Sequence, residues 1–136
     1  MNDHCEILIV DDEPIVGERL KSFLEKDNHQ VEIFVDPASA LNRLNEKNFD
    51  IVISDIRMGE IDGIQIMENV VQKAPHCKVI MITGYATLEL ARESLTKGAF
   101  DFIAKPFKLK EIRKTIQKAE EALGRQLQQN AQPVAN

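Results

Sequence analysis

The 136-residue chain predicts an α/β fold: a single doubly wound, five-stranded parallel sheet in the order 2-1-3-4-5, with helices on both faces. Two features of the sequence carry that prediction. Short β-branched runs alternate strictly with amphipathic stretches, and strict alternation of this kind implies parallel strands joined by right-handed helical crossovers. Within the strand candidates, Ile7–Val10, Ile51–Ile53 and Val79–Ile82 are continuously apolar, as strands covered on both faces must be. The other two runs mix in an acid, Glu32 and Asp101, as expected of edge strands with one position facing water.

The strands are expected at EILIV (6–10), QVEIFV (30–35), DIVIS (50–54), KVIMIT (78–83) and FDFIA (100–104). The first helix follows from Val16, Leu20, Phe23 and Leu24, which share one face at helical spacing. Asp36-Pro37 reads as N-cap and first-turn proline of the second, ahead of Ala40, Leu41 and Leu44. The third runs from about 64 to 73 with Ile64, Met67 and Val71 in register. The fourth places Leu88, Ala91 and Leu95 together and stops at Lys97-Gly98, a basic last turn followed by glycine. Leu109, Ile112, Ile116, Ala119 and Leu123 define the fifth. Residues 1–122 are expected to form one domain, and 123–136 a helical extension and tail, with Gly124 weakening the helix. A stripe of Leu123 and Leu127 leaves a homodimer seam and a frayed end equally open.

Composition narrows the function. The net charge of −5 disfavours direct nucleic-acid contact by this segment, since such binders present a basic face. No apolar run approaches the roughly 20 residues that cross a bilayer, and MNDHCE lacks the charged and apolar regions of a signal peptide, so a cytoplasmic location is expected. Cys5 and Cys77 match no metal spacing and read as free thiols. His4, His29 and His76 lie before or between elements and read as solvated. Neither a P-loop nor a dinucleotide-binding glycine motif occurs.

In a parallel sheet of this kind, sites form at the carboxyl ends of the strands. Strand one is followed by Asp11, Asp12 and Glu13, strand three by Asp55, strand four ends in Thr83 and Gly84, and strand five is followed by Lys105 and Pro106. Clustered acids repel one another unless a cation sits among them, and hard oxygen ligands at one edge suit Mg²⁺. Lys105 and Thr83 can hold phosphate oxygens, and the Asp55 carboxylate can attack phosphorus. Taken singly, each residue has a plain reading: Asp12 as a helix cap, Asp55 as a loop acid, Thr83 and Lys105 as ordinary strand-end residues. Their gathering at one edge is what argues for chemistry.

VDDEP, SDIRMGEIDG (54–63), MITG (81–84) and FIAKPF (102–107), in this order, resemble the receiver domain of bacterial two-component response regulators over about residues 5 to 122. FDFIAKPF looks most like receivers that precede ATPase-type transcription activators. The resemblance implies a flavodoxin-like fold and a switch rather than a turnover enzyme, one that takes a phosphoryl group from a sensor histidine kinase and loses it slowly. It implies Asp55 as phosphoacceptor, and Asp12 as the main Mg²⁺ carboxylate, with Asp11, Asp55 and the Arg57 backbone carbonyl completing the shell. Thr83 and Lys105 would hold the phosphoryl oxygens, and a cis Lys105–Pro106 bond is expected. Thr83, Phe102 and Tyr85 would form the switch, altering the surface of helix 4, strand 5 and helix 5 to control an output domain or downstream protein. Arg57 and Tyr85 flank the acceptor and are expected to tune water access to it. One departure is Gly59, where the family usually has proline after methionine; glycine gives that loop more backbone freedom.

Two other classes are weighed. An aspartate-nucleophile phosphatase of the haloacid-dehalogenase type carries a second acid two residues after the nucleophile, where this chain has Arg57. A phosphate-independent interaction module would have lost Asp55, Thr83 or Lys105, and all are present.

Overall fold

The computed structural model describes residues 4–56, 63–84 and 87–130, with side chains described as far as 124. The strands are β1 (Glu6–Val10), β2 (Gln30–Phe34), β3 (Ile51–Asp55), β4 (Lys78–Thr83) and β5 (Asp101–Ala104). All pair in parallel in the order β2-β1-β3-β4-β5, so β2 and β5 are the edges, as the acids within them indicated. The helices α1 (Pro14–Glu25), α2 (Pro37–Glu46), α3 (Gly63–Lys73), α4 (Leu88–Thr96) and α5 (Leu109–Asn130) alternate with them.

Alternating side chains of each central strand serve two cores. Ile7, Ile9, Ile51, Ile53, Ile80 and Ile82 face α1 and α5, where Leu20, Leu24, Ile112, Ile116 and Leu123 close over them. Leu8, Val10, Val52, Val79 and Met81 face the other layer, built on Ala40, Ile64, Ile66, Met67 and Val70. Most of these strand residues are fully buried, each worth about 1.5–3 kcal/mol in transfer from water. Asp36 caps α2 by accepting from Ser39 N at 3.1 Å. α1 has Glu13 as N-cap with no side-chain cap, so the plain reading of Asp12 as a helix cap does not apply.

The structure corrects several details: β2 ends one residue early, at Phe34, and β5 begins one residue late, at Asp101. β3 begins one residue later than expected and takes in Asp55, while Asp50 instead accepts from Glu6 N at 2.8 Å. The buried face of α3 runs through Ile64, Met67 and Val70, and Val71 lies at its margin. The predicted face of α4 is wrong: Leu88 and Leu95 are 67% and 49% exposed, while Ser94 is buried and Leu90 packs on the core. His29 is 5% exposed rather than solvated, and its Nδ1 accepts from Cys5 N at 3.0 Å.

Gly98 ends α4 at φ 118°, as the Lys97-Gly98 pair suggested, and a β-carbon there would press on Val71. Cys5 and Cys77 are free and buried. α5 continues unbroken through the expected boundary at 122 and past Gly124, with Leu123 still in the core. Arg113 secures it to α1, pairing with Asp27 at 2.9 Å and stacking over the Phe23 ring at 4.5 Å. No helix among the described residues is long and apolar enough to cross a membrane.

Candidate functional site

The strand order puts β1 beside β3, β3 beside β4, and β4 beside β5, so residues leaving their carboxyl ends share one edge. β1 passes directly into Asp11, whose N–H still pairs with Phe34 O at 3.0 Å. The Asp11 side chain is buried, and its Oδ1 accepts from Glu13 N at 2.8 Å, folding the β1–α1 loop back on itself. Asp12, next in the chain, is exposed. The carboxylates of Asp11, Asp12 and Asp55 each offer an oxygen within 4.8 Å of the others.

Asp55 closes β3, opposite Ile82 of β4, and is 6% exposed. Its strand end is held by Ile56 N donating to Ile82 O at 3.1 Å and Gly63 N donating to Ile56 O at 2.7 Å. Gly63 has a specific reason to be glycine: a β-carbon there would run into the Asp55 carbonyl and lie 2.9 Å from Ser54 Oγ. Thr83, the last residue of β4, is fully buried at the same edge, paired in register with Ala104. Lys105 N donates to Thr83 O at 2.8 Å, which fixes the start of the β5–α5 loop, and the Lys105–Pro106 bond is cis as expected.

Lys105 is the hub. Its Nζ lies 2.9 Å from Asp11 Oδ2, 2.8 Å from Glu13 Oε1 and 3.0 Å from Asp55 Oδ2. Burial works against the ammonium, but its donation to Glu13 and Asp55 and its attraction to Asp11 outweigh it and hold Lys105 well above the usual lysine range. Burial raises the Asp11 carboxyl, with Lys105 opposing, whereas the hydrogen bond from Lys105 lowers exposed Glu13. Asp11 Oδ2 is a buried oxygen that meets Lys105 only as an ion pair, outside hydrogen-bond geometry. A buried carboxylate oxygen without a hydrogen bond, among two further carboxylates, is a donor set that fits a hard divalent cation.

Of the sequence-predicted site residues, Asp11, Asp12, Asp55, Thr83 and Lys105 thus lie at one rim. Phe102 lies one strand away, half-buried against the layer of α2, α3 and α4. Arg57, Tyr85 and Gly59 lie outside the described residues. Glu13 was noted only as part of an acid run; its partnership with Lys105, 92 positions on, had no local signal.

Comparison with known proteins agrees with this arrangement. The family model described as "Response regulator receiver domain" matches residues 7–117. The transcriptional regulatory protein ZraR of Escherichia coli K12 is 32% identical over 118 residues, 87% of this chain and 27% of that protein. The regulatory protein AtoC of Escherichia coli K12 is 36% identical over 113 residues, 83% of this chain and 24% of that protein. The chain therefore spans about a quarter of the length of these relatives. Among solved structures, a CheY-like response regulator receiver domain from Methanospirillum hungatei superposes with a TM-score of 0.85 at 30% identity, covering 89% of this chain and 97% of that one. NtrX from Brucella abortus superposes with a TM-score of 0.86 at 28% identity, covering 93% of this chain and 30% of that one. Sheet order, carboxyl-edge acids, buried strand-end threonine, lysine hub and sequence match converge, and the chain belongs to the response regulator receiver domain family.

Proposed function

We propose that this domain is a switch set by phosphorylation of Asp55, with the phosphoryl group drawn from the phosphohistidine of a sensor kinase. The observation that carries the proposal is the single ammonium of Lys105 bridging Asp11, Glu13 and Asp55. It makes the rim a preformed pocket for one cationic and one anionic group side by side. An Asp55 oxygen attacks phosphorus, the P–N bond breaks, and the imidazole departs with its electron pair. Lys105 orients the attacking carboxylate through Oδ2 and is positioned to pass to a phosphoryl oxygen as the charge moves. The Thr83 hydroxyl donates to a second oxygen. Asp11, Asp12 and Asp55, with the Arg57 carbonyl, would hold Mg²⁺, which when bound neutralises charge on the transferring group. Water then removes the phosphoryl group slowly, so the domain signals rather than turns over substrate.

The output is a change of the α4–β5–α5 surface toward an output domain or downstream protein. The packing of α4 supports this: Leu88 and Leu95 face outward, Leu90 packs on the core, and a buried Ser94 Oγ lacks a hydrogen-bond partner, a cost that a shift of the helix could relieve. Phe102, half-buried beside it, can follow Thr83 inward. Residues 1–122 are assigned to the receiver and 123–136 to a helical extension and tail, with Leu123 still packed on the receiver's core. The relatives' printed names as transcriptional regulators support a role in transcription and a cytoplasmic location. A beryllofluoride-activated NtrC4 receiver domain dimer, 27% identical with a TM-score of 0.82, supports a homodimer.

Incubation with Mg²⁺ and a small phosphodonor, read by intact mass, tests the proposal. One added phosphate is expected, abolished by Asp55→Asn and by chelator. Undiminished phosphate on Asp55→Asn would refute it. On phosphorylation, hydrogen exchange should change most in α4, β5 and α5; change confined to the region of Glu32 and Leu41 would refute the output surface.

A further inference from the structure

A second constellation of ligand-type side chains lies outside the carboxyl rim. Cys5 precedes β1, His29 precedes β2, and Glu120 comes from the inner half of α5. Both strands begin there, so this corner is at the amino edge of the sheet, opposite Asp55. One sulfur, one nitrogen and one oxygen lie within 4.8 Å of one another, with Cys5 and His29 buried and Glu120 half-buried. The backbone beneath is fixed: Gln30 N donates to Cys5 O at 2.9 Å, which begins the β1–β2 ladder.

We propose that Cys5, His29 and Glu120 form a second metal site, for a borderline-soft divalent cation of the Zn²⁺ type, that links the starts of β1 and β2 to α5. The donor set decides the class. A thiolate and an imidazole are poor ligands for Mg²⁺ and good ones for Zn²⁺, and three protein ligands leave a fourth position for water. Tetrahedral Zn²⁺ spaces such ligands about 3.3–3.8 Å apart. The three ligand atoms, already within 4.8 Å of one another, close toward that spacing when the ion binds. The charge around the corner also favours a cation: Asp50, Glu120 and Glu6 act on the thiol, and Asp27 on the imidazole, opposed by neighbouring His4.

Two protons stand in the way, and both have a place to go. Burial, then these acids, push the Cys5 thiol up to about 12, so the thiol keeps its proton at neutral pH until a metal replaces it. Binding therefore releases a proton and strengthens as pH rises. His29 Nδ1 accepts from Cys5 N, which leaves the neutral ring's proton on Nε2. A metal at Nδ1 displaces that N–H outright, and a metal at Nε2 sends the ring proton to Nδ1. Either route gives up one backbone hydrogen bond, a small loss beside metal–thiolate coordination.

Titration of the whole chain with Co²⁺, a spectroscopic stand-in for Zn²⁺, tests the site, with excess Mg²⁺ present to occupy the carboxylate rim. One equivalent should bind, giving a thiolate-to-cobalt charge-transfer band and the visible bands of a tetrahedral ion, both displaced by Zn²⁺. Cys5→Ser should abolish the charge-transfer band, and Cys77→Ser should leave it intact. Glu120→Gln, a mild change at a half-exposed position, should weaken binding about tenfold or more and remove the rise in Tm that Zn²⁺ gives the parent. Absence of a thiolate band at stoichiometric Co²⁺, a band that survives Cys5→Ser, or equal affinity in parent and Glu120→Gln would each overturn the site.

Discussion

Lys105→Met removes the hub charge while keeping most of the side chain's bulk. Its ammonium lies 2.8–3.0 Å from three carboxylates, two of them nearly inaccessible: the Asp11 side chain is 0% exposed and Asp55 8%. At an effective dielectric constant of about 20, one pair at this distance is worth roughly 6 kcal/mol before desolvation is subtracted. Desolvation of Lys105 offsets much of that in the parent. The variant, however, leaves the buried carboxyl groups of Asp11 and Asp55 without the ammonium they share, and breaking a buried pair from one side costs about 3–5 kcal/mol. That is a large share of the roughly 5–15 kcal/mol that holds a domain together. Because the vacated rim is more negative, Mg²⁺ should stabilise the variant by more than it stabilises the parent. Urea unfolding of both proteins at neutral pH, with and without saturating Mg²⁺, measures the four stabilities. A loss below about 1 kcal/mol, the range of exposed ion pairs, with the same Mg²⁺ gain in both proteins, would refute the reasoning.

Gly63→Ala drives a β-carbon into the Asp55 carbonyl, which is backbone and cannot swing aside, so a loss of at least about 2–3 kcal/mol with weakened Mg²⁺ binding is expected in denaturant titrations. Ser94→Ala deletes the unpartnered buried hydroxyl; it should raise stability by about 1 kcal/mol and reduce the hydrogen-exchange response of α4 to beryllofluoride. His29 carries the pH dependence. Burial lowers its pKa below the ordinary 6.5, with Asp27 opposing and His4 assisting. The unfolded chain therefore binds the proton first, and stability should fall as pH drops from about 6.5 through the folded value, by at most about 1.4 kcal/mol per pH unit. His29→Gln should flatten that slope in urea midpoints measured across the range, and an unchanged slope would place the proton uptake elsewhere.

The fold and the rim were legible because both rest on local pattern. The continuously apolar runs of β1, β3 and β4 can only be central strands, and the order of a parallel sheet then carries Asp11, Asp55, Thr83 and Lys105 to one edge. α4 was not legible in the same way. Its apolar period pointed to Leu88, Ala91 and Leu95, yet it packs through Leu90 and Ser94. Periodicity finds a stripe on a helix but not which stripe meets the sheet, and a short helix beside an edge strand buries too little to force the apolar choice. His29 was misread because its burial depends on Cys5 and Glu120 arriving from β1 and α5. The Glu13–Lys105 pair was missed for the same reason, since 92 positions separate its partners. Gly124 was expected to weaken the helical extension, but its cost within a helix is only about 1 kcal/mol, and α5 runs past it with Leu123 packed in the core.

The most direct test of the central claim is a crystal structure of this chain with Mg²⁺ and beryllofluoride. The metal should sit on the carboxylates of Asp11, Asp12 and Asp55, the beryllium on an Asp55 oxygen, and Lys105 Nζ on a fluoride, having left Asp11. A metal bound away from these acids, or Lys105 still bridging Asp11, Glu13 and Asp55 with no fluoride beside it, would contradict the account.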